Sequence, residues 1–139
     1  MDRLLRLNRV NSRVEVRGFC RVSDFAEAIA RASGATLVVM DVEGMEAEFL
    51  VPELRPALAP MHLLVETHDF AVPGSAARIK QIFELTHHVE EVPTRDRTSA
   101  DLPFRCLPFL RRRLLHVGSD QRGPAGSQTF ITMTPRSSR

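Results

Sequence analysis

The stretch Ala35-Thr36-Leu37-Val38-Val39-Met40-Asp41-Val42-Glu43-Gly44 begins as an unbroken apolar run and closes on two acids and a glycine. A strand with one wet face alternates polar and apolar residues. A run with no polar side chain from Leu37 to Met40 instead predicts a strand buried on both faces of a parallel sheet, and so a central one. An acid at the end of such a run gains nothing from burial, which makes Asp41 a candidate for binding or catalysis. Downstream, His62-Leu63-Leu64-Val65-Glu66 repeats the pattern and ends in Thr67-His68-Asp69. Between the two runs Ala47, Leu50, Leu54, Ala57 and Leu58 share a helical face, which Pro52 and Pro56 divide into two short pieces. Strand, helix and strand in alternation predict an α/β domain around a parallel sheet.

The periods on either side agree. Arg13-Val14-Glu15-Val16-Arg17 alternates and is expected to be a half-exposed strand, and Ser23-Asp24 starts a helix that carries Phe25, Ala28, Ile29 and Ala32 up to Gly34. A third crossover helix runs from about Ser75 to Leu85, with Ala76, Ile79, Ile82 and Phe83 on one side. His88 to Val92 is a short, polar, peripheral strand ended by Pro93. Leu107 to Leu115 is expected to be a helix, Gly118 to Ser127 a Gly-rich loop, and Thr129 to Met133 the last strand. Residues 1–135 are read as one domain and 136–139 as a frayed tail.

At 139 residues, with 43% hydrophobic and 26% charged residues, the chain has the composition of an ordinary soluble domain. No apolar run approaches the roughly 20 residues that span a bilayer, and the first six residues are too polar for a signal peptide, so a cytoplasmic location is expected. Cys20 and Cys106 have no metal or redox spacing and are read as free thiols. Lys80 is the sole lysine among 19 basic residues, a skew typical of a GC-rich genome. Arg111-Arg112-Arg113 reads as a solvated face. With no Trp or Tyr to stack on bases, nucleic acid is not the expected partner.

Ligands of open α/β sheets bind outside the carboxyl ends of the strands, where this chain places Asp41-Val42-Glu43-Gly44 and Glu66-Thr67-His68-Asp69. If the strands are neighbours, four acids and an imidazole line one edge. Each has a bland alternative: Glu43 as a charge at a helix start, Gly44 as a turn, His68 and Asp69 as loop residues. The oxygen-rich cluster of Asp41, Glu43, Glu66 and Asp69 suits a hard divalent cation only loosely, and no metal ligand is assigned. His87 and His88 are adjacent and cannot both face one metal without a bend.

Leu37-Val38-Val39-Met40-Asp41-Val42-Glu43-Gly44-Met45-Glu46 resembles the D-x-E-G-x-E segment of FkbM-type and related class I S-adenosylmethionine-dependent methyltransferases. Leu5, Leu7, Asn8, Asn11 and the run at Val14 are similar to the passage before that family's third strand. Glu66-Thr67-His68-Asp69 is similar to an E-x-H-D run after the fifth. Phe83 with Thr86-His87 looks like a recurring F-x-x-T-H element. The family's first strand with its Gly-rich loop, and the acid after its second strand, find no counterpart here; Gly118 to Gly126 is not followed by a helix and does not replace that loop.

The resemblance therefore implies the C-terminal part of a Rossmann-like sheet with its first two strands missing, in a chain that starts partway through the domain. It implies Asp41, Glu66 and His68 as catalytic residues, with Glu66 or His68 a general base. It further implies Asp41, Glu43 and Gly44 beside S-adenosylmethionine, and Asp69 and His87 facing a small-molecule acceptor. Tight binding of the methyl donor to the isolated chain is not expected. The apolar strand at Ala35 would lack a neighbour, an edge that invites self-association. The rival readings are a non-catalytic remnant or interaction module and, last, a metal-dependent hydrolase.

Overall fold

A computed structural model describes residues 2–10, 12–94 and 128–136, and the expected helix at Leu107, the Gly-rich loop and Cys106 lie outside them. The chain falls into two compact units, Met1–Arg31 and Ala32–Arg139.

The first unit holds helices α1 (Asp2–Leu7) and α2 (Val22–Arg31). Asp24 sits in the first turn of α2 and accepts a hydrogen bond from the Arg21 backbone N at 2.9 Å, and an i,i+4 pair joins Glu27 to Arg31. The strand expected at Arg13–Arg17 does not form: these residues are irregular, and Glu15 pairs instead with Arg17 at 2.8 Å. Alternation shows that a segment has a wet face, but a strand also needs a partner for its backbone groups, and the sheet of the described strands does not include this segment.

In the second unit, strand β1 (Leu37–Met40) leads to helix α3 (Glu46–Phe49), a 3₁₀ turn (Pro52–Leu54) and helix α4 (Arg55–Leu58). The chain continues through β2 (His62–His68), α5 (Ser75–Phe83), β3 (His87–Pro93) and β4 (Gln128–Pro135). The prolines divide the first crossover as expected. Pro52 and Pro56 lie near the starts of the 3₁₀ turn and of α4, where a missing N–H costs nothing.

The described strands form one sheet in the order β1-β2-β4-β3. β1 and β2 are parallel, while β4 runs antiparallel to both its neighbours. Two expectations are thereby corrected. The sheet is mixed rather than parallel, because the last strand inserts between β2 and β3. And β1 is the outermost strand, not a central one: Leu37 and Val39 are 61% and 66% exposed while Met40 is buried. An apolar run marks side chains that fit a buried strand, but what covers them is set by chain segments far away in sequence.

The core lies on one face of the sheet. Leu63 and Val65 of β2 and Ile131 and Met133 of β4 are buried with Ile79, Ile82 and Phe83 of α5, the helix that packs on both strands, and Leu50 and Leu58 are fully buried as well. Each such side chain contributes roughly 1.5–3 kcal/mol relative to exposure.

Candidate functional site

Parallel pairing in register brings the two acid-tipped segments to one edge. Leu37 lies beside His62 and Met40 beside Val65, so Asp41 leaves β1 at the level of Glu66, while β2 continues two residues further to His68. After Asp41 the chain turns sharply, with Glu43 (φ 55°) and Gly44 (φ 102°) both in the left-handed region. A Cβ on Gly44 would stand 3.0 Å from the Ala71 Cβ. Gly44 is thus needed for its backbone angle and for the close approach of the loop after β2.

The turn delivers Glu46, the first residue of α3, back under the strand ends. Glu46 is completely buried, and its Oε1 accepts hydrogen bonds from the Gly44 backbone N at 3.0 Å and from His68 Nδ1 at 2.7 Å. Its Oε2 is buried with no hydrogen-bond partner. His68 is itself buried and forms a T-shaped pair with the Phe70 ring, the ring centres 5.7 Å apart. Because a carboxylate only accepts, Nδ1 carries the proton, and Nε2 is the nitrogen left to face outward. It faces Asp41 Oδ1 and Glu43 Oε2, each 3.7 Å away, on side chains that are 57% and 56% exposed.

Glu66 is half-buried on the same strand, two residues before His68 and so on the same side of β2. Burial pushes its carboxyl above the ordinary carboxylate range, and the charge of Asp41 pushes the same way, partly offset by His68.

Asp41, Glu43, Glu66 and His68 therefore converge as the strand-end argument expects. Asp69 is close in sequence but otherwise engaged: its Oδ1 accepts from the Ala76 backbone N at 2.8 Å, which caps α5. His87 stands at the opposite end of the sheet. It is buried, its Nε2 donates to the Met61 carbonyl at 3.0 Å, and its Nδ1 meets the Thr86 hydroxyl at 2.9 Å. Burial holds its pKa below the ordinary histidine value. It ties the start of β3 to the start of β2 and does not share the edge that holds His68.

Glu46 was not among the residues singled out by sequence, although it closes the D-x-E-G-x-E segment. One signal was available: it precedes Leu50 by four residues and so lies on the apolar face of the helix, where an acid must find a partner. Comparison with protein-family models, curated proteins and solved structures finds no match.

Proposed function

We propose that the chain carries the acceptor-side part of an S-adenosylmethionine-dependent methyltransferase of FkbM type. The observation that carries this reading is the contact between the two segments on which the resemblance rests: Glu46 of D-x-E-G-x-E and His68 of E-x-H-D share a buried hydrogen bond of 2.7 Å.

The methyl donor is a sulfonium cation, and the exposed carboxylates of Asp41 and Glu43 suit its positive charge, with Gly44 completing the turn beside them. When bound, the donor supplies an electrophilic methyl carbon. The chain's own residues place the acceptor and remove its proton. Glu66, at the rim of the edge, takes the proton released as an acceptor hydroxyl or amine is methylated, while Glu46 keeps the His68 ring fixed beneath it. Asp69 holds α5 in place, so the loop after β2 stays at the edge.

Saturation-transfer NMR of the full chain with millimolar S-adenosylmethionine tests the reading. Weak contact is expected, near a dissociation constant of about 1 mM or roughly −4 kcal/mol, and Asp41→Asn abolishes it. Absence of any contact to the donor refutes the reading. Binding near 1 μM would refute the expectation that donor contacts are missing from this chain.

A further inference from the structure

We propose that Asp41, Glu43 and His68 form a binding site for one borderline divalent cation of the Zn²⁺ class, with Glu46 as the outer-shell carboxylate that orients the histidine. One ligand atom from each of the three residues lies within 4.8 Å of the others. The imidazole sets this cluster apart from an ordinary patch of acids. His68 has only 2% of its side chain exposed and is held by Glu46 through Nδ1, so its Nε2 lone pair is fixed in direction. Two carboxylate oxygens stand 3.7 Å from Nε2.

The distances suit a metal ion. With bonds of about 2.1 Å, His68 Nε2 and a carboxylate oxygen 3.7 Å from it subtend about 120° at one ion, and small rotations of the two exposed carboxylates bring all three atoms to a common centre. The donor set, one imidazole nitrogen with two carboxylates, favours Zn²⁺, Mn²⁺ or Fe²⁺ over Mg²⁺ and Ca²⁺, which take oxygen ligands in larger number. Carboxylate, histidine and metal in line is the recurrent means by which proteins fix the tautomer of a ligating histidine, and it gives the buried Glu46 a purpose that packing does not. The inference needs no methyl donor, and an ion held here would occupy the two carboxylates that the methyl-transfer reading gives to the sulfonium, so metal and donor would exclude each other.

The test is titration of the full chain with Zn²⁺ by calorimetry, with Co²⁺ as a spectroscopic substitute whose visible absorption reports nitrogen ligation and coordination number. One ion per chain is expected. The double variant Asp41→Asn/Glu43→Gln alters side chains that are more than half exposed and keeps the fold by circular dichroism; it should weaken binding by more than about 100-fold, and Glu46→Gln by about 10–100-fold. A control with Cys20→Ser, His62→Gln and His88→Gln should bind as the parent does. No binding, or binding lost in the control and kept in the double variant, overturns the proposal.

Discussion

Replacing Glu46 and His68 singly and together by alanine measures how strongly the buried pair is coupled. Glu46→Ala leaves the His68 Nδ1–H and the Gly44 N–H without their acceptor. A stranded buried donor costs about 1–3 kcal/mol, and the lost packing adds to this. Against it stands relief from burying Oε2, which has no partner. A net cost of about 2–4 kcal/mol follows. His68→Ala is the harsher change, since it strands a fully buried carboxylate, at about 3–5 kcal/mol. The double variant removes both members, so its cost should fall short of the sum of the singles by about 2 kcal/mol. The chain has no Trp or Tyr, so urea unfolding is followed by far-ultraviolet circular dichroism. With a denaturant slope of about 1–3 kcal/mol per molar, a loss of 3 kcal/mol moves the midpoint by about 1–3 M. Single costs below about 1 kcal/mol that simply add in the double would refute the reasoning, because Glu46 and His68 would then not depend on each other.

Three further outcomes are expected. Asp41→Asn should change stability by no more than about 0.5 kcal/mol, because the side chain is 57% exposed, while it abolishes ligand contacts at the edge; a large drop in melting temperature would show a structural role instead. Burial holds the His87 pKa below its ordinary 6.5, so the unfolded chain takes up that proton first. Its contribution is therefore intact above about pH 6.5 and lost as pH falls through the window beneath, at up to about 1.4 kcal/mol per pH unit; His87→Gln should flatten this slope in urea unfolding, and an unchanged slope would acquit His87. Light scattering should show concentration-dependent association through the open edge of β1, reduced by Val39→Lys, and a monomer at high concentration in the parent would show that this edge seeks no partner.

Sequence alone determined much of the local structure of the second unit, since that is governed by near neighbours. The apolar runs marked β1 and β2, the prolines broke the first crossover where the structure breaks it, and the spacing of Ala76, Ile79, Ile82 and Phe83 marked α5. The acids ending two such runs located the edge, because parallel strands of consecutive strand–helix–strand units put their carboxyl ends together. Tertiary structure decided what pairing and burial decide. The alternation at Val14 formed no strand, and β4 entered antiparallel between β2 and β3, which no local period encodes. Val39 reads as core in sequence and is exposed in the fold, where β1 stands at the end of the sheet formed by the described strands. The same holds within the site. Asp69 and His68 are adjacent in the chain, yet one caps a helix while the other turns beneath the edge, and Glu46, 22 positions from His68, becomes its closest polar partner. A hydrogen bond between distant residues depends on two left-handed residues at Glu43 and Gly44 and on Ala71 packing against that glycine, and those are properties of the folded chain.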